Sequence, residues 1–445
     1  MGCREEILSD DYIDYIWKVD AQTALREAER LGICGQYVTD GLMIFYMNRE
    51  EVVRNPSGML IGDYAVTYCH TQMDTESLEE TRILTIQNQP ALQLRGQGVL
   101  LGFLDSGIAL ENAAFRNPDG STRVIGLWDQ TDQSGTPPGD MHYGTAYSGE
   151  EIDRMLQEGE QNLPGEDDNG HGTKVVSIAA GSLLEDLNFI GAAPETSIAF
   201  VKLKPAKASI RRLQQIPLDA VAYEEADMML AVRYLDMLAL ELGMPLVICL
   251  ALGSNSGGHT GATPLGLYLN EFARRAGRAI AVAAGNEGNR GHHFFGVIPG
   301  TTGYLDVELR VGEGEKGFQM NLWGNTPGLF SVEVTSPAGE RIPRIFARPL
   351  ERQRYEFVFE KTILDIQYEL TEVISGDERL LLVFRDPTPG IWRIRVYARG
   401  ALDSSFHIWL PVTGFITDET YFLRSSPDTT ITEPANAEGI MTFAG

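Results

Sequence analysis

Four short, uninterrupted runs of apolar residues constrain the fold of this chain more than any other feature. They cover residues 99–104, 198–201, 245–252 and 279–284. Runs of this length are typical of strands buried on both faces of a parallel sheet. Helical patterns separate the runs, over residues 171–180, 224–242 and 264–276. Strands that alternate with helices predict a doubly wound α/β fold with helices on both faces of the sheet.

The patterns on either side of these runs predict further units. Residues 1–75 mix helical and strand patterns and predict a small α+β unit, whose helix begins after Asp20. The polar residues 74–98 are typical of a linker. Alternating apolar residues after about residue 300 predict an inserted β-sandwich or jelly-roll. The expected division is an N-terminal unit (1–75), the first part of the α/β domain (76–300), the insertion (301–415) and a return to the α/β domain, incomplete at its C-terminus (416–445).

The charge balance restricts the classes of partner. The chain has 445 residues with 62 acidic and 36 basic side chains, and its net charge is −26. Nucleic acids and anionic membranes need a basic footprint, so neither is an expected partner. No apolar stretch is long enough to span a membrane, and the N-terminus lacks the features of a signal peptide.

The four cysteines are widely scattered, at Cys3, Cys34, Cys69 and Cys249. Their spacing matches neither a metal site nor a disulfide framework, so free thiols in a reducing compartment are expected. No cofactor and no resident metal are predicted, and a calcium site is left open.

Three polar residues at the ends of predicted elements carry the chemical interpretation. Asp105 ends the first apolar run, His171 opens a helix, and Asn286 follows the last run after one glycine. In open α/β sheets, functional residues collect at the carboxyl ends of the strands. A carboxylate can orient an imidazole there, the imidazole can act as a general base near neutral pH, and an amide can donate to an oxyanion.

Each of the three residues also has a structural interpretation. Asp105 can belong to an ordinary turn, His171 can cap a helix or lie on the surface, and Asn286 can begin a turn. His292 and His293 lie in a glycine-rich loop and are interpreted as structural or surface residues. The order Asp, His, Asn at successive element ends favours catalysis over these alternatives.

Three motifs in this order give residues 99–300 a resemblance to the subtilisin-like serine proteases (subtilases, peptidase family S8). They are Asp105-Ser106-Gly107, His171-Gly172-Thr173 and Ala283-Ala284-Gly285-Asn286. The resemblance implies an endopeptidase in which Asp105 orients His171, His171 activates a serine, and Asn286 stabilises the oxyanion. A peptide or protein is the implied substrate. The implied substrate-binding residues are Ala251, Leu252, Gly253, Ala283, Ala284 and Gly285.

The flanking segments extend the resemblance. The N-terminal unit is similar to a subtilase prodomain, which implies a partner of the catalytic domain and self-cleavage near Cys69-His70-Thr71-Gln72. The insertion and the long polar connection at 128–168 resemble those of the Csp-type subtilisin-like proteases of clostridia. That group is linked to spore germination. One member activates a cortex-lytic enzyme by cleavage, and others are pseudoproteases. The resemblance therefore implies a cytoplasmic or spore-associated location.

The nucleophile departs from the family pattern. The sequence holds no Gly-Thr-Ser-x-Ala segment, and the serine is expected beyond Gly445, on a helix after the strand that begins near residue 438. Without that helix, large apolar areas of the sheet would be exposed, at a cost of about 25 cal/mol per Å². Three hypotheses stay open. They are a serine endopeptidase in a longer chain, an inactive subtilase-like regulator, and an α/β binding protein with coincidental motifs.

Overall fold

The structure is a computed structural model that describes residues 3–50, 64–72, 83, 87, 89, 94–300, 303–325, 328–346, 352–372, 374–399 and 403–444. Its α-helices are α1 (Cys3–Leu8), α2 (Ala21–Leu31), α3 (Gly149–Glu158), α4 (His171–Ala180), α5 (Ala208–Gln214), α6 (Glu225–Glu241) and α7 (Pro264–Ala273). Most of the predicted linker at 74–98 lies outside the described residues.

The strands are β1 (Tyr12–Lys18), β2 (Cys34–Thr39), β3 (Leu42–Asn48), β4 (Tyr64–Val66), β5 (Cys69–Gln72), β6 (Leu100–Asp105), β7 (Val124–Asp129), β8 (Thr145–Ser148), β9 (Ser197–Lys202), β10 (Tyr223–Glu224), β11 (Leu246–Leu250), β12 (Leu252–Gly253), β13 (Arg278–Ala283), β14 (His293–Ile298), β15 (Tyr304–Val311), β16 (Gly317–Gly324), β17 (Phe330–Thr335), β18 (Arg341–Ile345), β19 (Arg352–Glu356), β20 (Ile363–Glu369), β21 (Glu378–Arg385), β22 (Gly390–Ala398), β23 (Ser404–Trp409), β24 (Tyr421–Phe422) and β25 (Met441–Phe443).

A seven-stranded sheet with the order β25-β13-β11-β6-β9-β7-β8 forms the centre of the α/β domain. Its neighbouring strands are parallel except for the β7–β8 pair. The predicted strands at 99–104, 198–201 and 279–284 are β6, β9 and β13. All six residues of β6 are buried, which explains its uninterrupted apolar sequence. The predicted α/β class with a parallel sheet is confirmed.

The apolar run at 245–252 departs from the prediction of a single strand. β11 ends at Leu250, and β12 leaves the seven-stranded sheet to pair with β5. Beyond the carboxyl edge of a parallel sheet, the backbone has no neighbouring strand and needs another hydrogen-bond partner. An apolar run in the sequence does not reveal where that change of partner occurs.

The long polar connection at 128–168 contains more regular structure than its composition predicts. β8 pairs antiparallel with β7, and α3 follows it. The Ser148 hydroxyl accepts from the Glu151 N–H, while the Glu151 carboxylate accepts from the Ser148 N–H at 2.8 Å. This capping box, Ser-x-x-Glu, was the available sequence signal for the helix.

The N-terminal unit packs against one helix of the α/β domain. Its sheet has the order β2-β3-β1-β4 and is antiparallel. Ile16, Ile44 and Tyr46 of this sheet share a buried core with Met228 and Met229 of α6. Because α6 is covered by this unit on one side and by the parallel sheet on the other, it is apolar around most of its circumference.

The cysteine prediction is wrong for one pair. Cys3 and Cys34 form a disulfide within the N-terminal unit, so four free thiols are not present. Cys69 and Cys249 are free. The pairing joins two elements that are 31 residues apart in sequence, and only the folding of α1 against β2 brings them together.

Two antiparallel sheets enclose a second core and form a β-sandwich. Their orders are β14-β23-β16-β21-β20-β19 and β18-β17-β22-β15-β24. Inward-facing residues alternate along each strand, as Trp392, Ile394 and Val396 do in β22. The sandwich begins with β14, before residue 301, and includes β24, after residue 415. The chain then returns to the parallel sheet as β25.

Candidate active site

Asp105 and His171 are in direct contact at the carboxyl edge of the parallel sheet. Asp105 is the last residue of β6, and His171 is the first residue of α4. The distances from His171 Nδ1 to Asp105 Oδ1 and Oδ2 are both 2.9 Å. The Asp105 residue is 1% exposed, whereas 17% of the His171 side chain is accessible. A buried carboxylate thus orients a partly accessible imidazole.

Two polar side chains that the sequence interpretation did not single out hold this pair in place. The Ser106 hydroxyl donates to Asp167 Oδ1 at 2.7 Å and accepts from the Gly172 N–H at 3.1 Å. Asp167 Oδ2 accepts from the Thr173 N–H at 2.8 Å. Although burial opposes it, hydrogen bonds from Thr173 and Ser106 lower the pKa of Asp167. An acidic residue just before a helix was the only sequence signal for Asp167.

Two glycines allow α4 to approach the end of β6. Gly107 has φ of +150°, and a Cβ there would lie 2.4 Å from the Glu166 carbonyl oxygen. A Cβ at Gly172 would lie 2.2 Å from the Gly107 carbonyl oxygen. Both distances are too short for a Cβ atom. Gly107 and Gly172 are therefore needed for the close approach that brings Asp105 and His171 into contact.

The other predicted site residues lie along the same sheet edge. Ala251 follows β11, Ala283 ends β13, and β11 separates β13 from β6. Because neighbouring strands lie about 4.8 Å apart, the ends of β6 and β13 are roughly 10 Å from each other. Ala284 is buried, Gly285 is half-buried, and Asn286 is exposed on the loop after β13. A Cβ at Gly285, which has φ of +94°, would lie 2.6 Å from the Thr432 side chain.

A buried carboxylate anchors the loop that contains Asn286. Glu287, which is 2% exposed, accepts from His292 Nδ1 at 2.6 Å and from Asn255 Nδ2 at 3.2 Å. Burial opposes ionisation of Glu287, but the contact with His292 lowers its pKa. His292 and His293 are both buried and hydrogen-bonded, so of the two interpretations of these histidines the structural one is confirmed and the surface one is excluded. The sequence held no signal for Glu287 beyond its position next to Asn286.

An extended segment of the N-terminal region lies across this edge. β5 pairs antiparallel with β12, where Gln72 is opposite Leu252 and Thr71 is opposite Gly253. On its other side, β5 pairs antiparallel with β10. The Gln72 side-chain amide donates to Asp105 Oδ1 at 3.2 Å. The same amide donates at 3.2 Å to Asn169 Oδ1, an acceptor absent from the sequence interpretation.

Within the described ranges, no group of three or more His, Cys, Asp or Glu side chains is arranged to bind a metal ion. Across the same part of the chain, no helix combines the length and apolar character needed to cross a bilayer.

Residues 96–307 match the family model described as the subtilase family. This region is a subtilase domain. The subtilases are serine proteases, so peptides or proteins are the substrate class of the domain. No curated protein matches the chain.

Solved structures provide a second comparison. The CspB protease of Clostridium perfringens is similar at 27% identity and a TM-score of 0.69, over 82% of this chain and 72% of that one. The epidermin leader peptide processing serine protease of Staphylococcus aureus matches at 15% identity over 62% of this chain and 61% of its own. Its TM-score is 0.35. Because 82% of the chain is covered, the similarity to CspB includes residues outside the 96–307 range of the family match.

Proposed function

We propose that the protein is a subtilisin-type serine endopeptidase whose nucleophilic serine is outside the 445 residues of the sequence. The observation that carries the proposal is the contact of a buried Asp105 with His171 Nδ1 at 2.9 Å, within a subtilase domain. In this reaction, His171 Nε2 takes the serine proton as the oxygen attacks the peptide carbonyl carbon. Asp105 stabilises the resulting imidazolium, and Asn286 donates to the oxyanion.

One face of the parallel sheet is incompletely covered, which supports a further helix that packs on it. Val247 and Cys249 of β11 lie in register with Ala279 and Ala281 of β13, and all four are only half-buried. The alternate residues of the two strands, such as Ile248 and Ile280, are buried on the opposite face. A row of half-exposed apolar side chains in the middle of a parallel sheet is the surface that a further helix would cover. We place the nucleophile at the start of that helix.

The pairing of β5 with β10 and β12 indicates how a substrate peptide would bind. A peptide in the same position would form a third strand between β10 and β12, held by main-chain hydrogen bonds. The residues Ala251, Leu252 and Gly253 would bind one side of it, and the small residues Ala283, Ala284 and Gly285 would leave room for a substrate side chain. Only an extended segment fits this geometry, so limited proteolysis of exposed loops in another protein is the expected activity.

The same pairing supports self-cleavage. β5 ends at Gln72, whose side chain lies against Asp105. Since Asp105 contacts His171, Gln72 lies beside this pair, and we expect the cleaved bond near Cys69-His70-Thr71-Gln72. The N-terminal unit would then be the prodomain and a bound partner of the catalytic domain.

A fluorophosphonate probe tests the proposal, because it labels only an activated serine. The protein with its natural C-terminal region should be labelled, and His171→Ala should abolish the labelling. His142→Ala is the matched control, since His142 is exposed and far from α4 in sequence. Absence of labelling in the unmodified protein would favour an inactive subtilase-like regulator instead.

A further inference from the structure

One segment of the sandwich is basic, although the chain as a whole is acidic. Residues 341–354 contain five arginines and one glutamate, in a protein whose net charge is −26. The described part of this segment forms β18 and β19, which are the terminal strands of the two sandwich sheets. Two adjacent sheet edges therefore carry a concentration of positive charge.

The arginines of β19 share a single carboxylate. Arg352 and Arg354 lie two residues apart on one face and contact Asp365 at 2.6 and 2.7 Å. Arg385 of β21 contacts the same group at 3.3 Å. Asp365 is 1% exposed, while 46% of the Arg352 side chain and 62% of the Arg354 side chain are accessible. Three guanidinium groups around one buried carboxylate leave an excess of exposed positive charge.

β18 carries a separate arginine–aromatic group on the outer face of the other sheet, where Arg344 Nε donates to the Ser331 hydroxyl at 2.8 Å. Gln353 Nε2 donates to the Phe346 carbonyl oxygen at 3.4 Å, which joins the end of β18 to the start of β19. The Phe346 residue is 62% exposed. The Arg344 guanidinium lies 4.3 Å from the Tyr397 ring centre and 4.9 Å from that of Phe346. Arg344 is thus held in a fixed orientation by two rings, and no described carboxylate forms an ion pair with it.

We propose that the outer face of β19 binds an extended acidic peptide of another protein through Arg352 and Arg354. Arg352 and Arg354 are separated by two residues along a strand, which is about 6.6 Å. An extended peptide repeats its side chains on one face at the same distance, so carboxylates at alternate positions meet both guanidinium groups. Glu356 continues the same face of β19 and disfavours a third acidic residue at the next alternate position.

The net charge favours a short peptide over a larger polyanion. A nucleic acid or an anionic bilayer carries negative charge over distances well beyond the basic edge, and the remaining acidic surface repels it. At physiological ionic strength, charges are screened within about 8 Å. A peptide of a few residues therefore interacts mainly with the arginines next to it.

Fluorescence anisotropy with a labelled six-residue peptide tests the proposal. The peptide has glutamates at two alternate positions and valine or serine elsewhere, and the protein is the full chain. We expect salt-sensitive binding that weakens about tenfold in the Arg352→Gln/Arg354→Gln variant, since two charge-assisted contacts are lost. A peptide of the same composition with adjacent glutamates should bind more weakly, because only one carboxylate then faces the arginines.

The matched control is Arg393→Gln/Arg424→Gln. These two arginines also share one carboxylate, Glu308, at 4.0 and 3.9 Å, and their side chains are 53% and 71% accessible. The control makes the same change in net charge and should alter binding less than about twofold. Equal losses in both variants, or no peptide binding, would overturn the proposal. Tighter binding of single-stranded DNA or phosphatidylserine vesicles through Arg352 and Arg354 would overturn the choice of a peptide.

A second variant tests the location of the site. Arg344→Ala removes a guanidinium on the outer face of the other sheet, so it should leave peptide binding unchanged. A loss of affinity in Arg344→Ala equal to that in Arg352→Gln/Arg354→Gln would contradict a site on β19. Unchanged thermal midpoints in both variants exclude misfolding as the cause of a lost affinity.

Discussion

Asp105 determines which nitrogen of His171 carries a proton. A buried carboxylate beside Nδ1 favours the neutral ring that is protonated there, and this leaves Nε2 as the basic nitrogen. The Ser106 N–H also donates to Asp105, at 2.7 Å, which restrains the carboxylate. In the proposed reaction, the acid–base chemistry depends on the charge of Asp105 as well as on its position.

Asp105→Asn should lower the kcat of the complete enzyme about 10⁴-fold with little change in KM, because the new amide can donate to Nδ1 and favour the wrong tautomer. The measurement is steady-state hydrolysis of a fluorogenic peptide. Asp168→Asn is the control, since 67% of that side chain is accessible. Similar losses of activity in both variants would contradict a special role for Asp105.

The start of α4 is the element on which the site depends. Its first residue is His171, and the hydrogen bonds of Ser106 and Asp167 attach its first turn to the end of β6. The helix can lie this close because Gly172 has no side chain. A displacement of less than 1 Å is enough to disrupt catalysis that relies on aligned hydrogen bonds.

Gly172→Ala should therefore separate α4 from β6 and reduce kcat/KM at least about 100-fold. The free energy of unfolding should fall by about 1–3 kcal/mol, because the added methyl group overpacks a filled site. Both quantities can be measured on the same preparations. Gly159→Ala, where a Cβ meets nothing within 4 Å, should leave activity unchanged and cost only about 1 kcal/mol. Full activity of the Gly172 variant would contradict the close-approach argument.

At the scale of the whole molecule, buried charges join the N-terminal unit to the subtilase domain. Asp14 of β1 pairs with Lys207, and both are 5% exposed or less. Nearby, Lys204 contacts Asp227 at 2.6 Å. Buried pairs contribute little net stability when complete, but removal of one partner leaves an uncompensated charge.

Asp14→Leu should therefore destabilise the protein by about 3–5 kcal/mol, whereas Asp14→Leu/Lys207→Met should recover most of that loss. Denaturant unfolding of the two variants and of Lys207→Met gives the full double-mutant cycle. Additive effects in this cycle would show that the pair is not coupled. The cycle does not depend on enzyme activity.

A second whole-molecule feature lies where the sandwich meets the α/β domain. His259 donates from Nδ1 to the Ile431 carbonyl oxygen at 2.7 Å and stacks on Trp409, with ring centres 4.1 Å apart. Burial lowers the pKa of His259 to about 4, and the neighbouring His293 and His407 contribute in the same direction. The folded state therefore disfavours the charged form of His259.

The lowered pKa of His259 determines how its contribution to stability changes with pH. An unfolded histidine has a pKa of about 6.5, so between pH 6.5 and 4 the unfolded state binds more protons than the folded state. The contribution of His259 to stability should be full above pH 6.5 and fall towards pH 4. His259→Phe keeps the stacked ring but removes the titrating group, so its free energy of unfolding should change less over this range. Chemical unfolding at pH 7, 5.5 and 4.5 measures the difference, and equal pH dependence in both proteins would contradict the assignment.

The sequence by itself determined those features that depend on near neighbours along the chain. Uninterrupted apolar residues predicted the buried strands β6, β9 and β13, and Asp20 predicted the start of α2, where its side chain accepts from the Thr23 N–H. The positions of Asp105 and His171 at element ends followed from the same local patterns. Each of these signals requires only burial or hydrogen bonding within a few residues.

Tertiary structure alone decided which distant segments meet. The pairing of β5 with β12 joins residues about 180 apart, and the Cys3–Cys34 disulfide and the contacts of Glu287 with His292 and Asn255 depend on how elements pack. Folding removes backbone and charged groups from water. These groups then need hydrogen-bond or ionic partners within the protein, and such contacts supply them. The local sequence shows that a group needs a partner, but only the packed molecule selects which one is within reach.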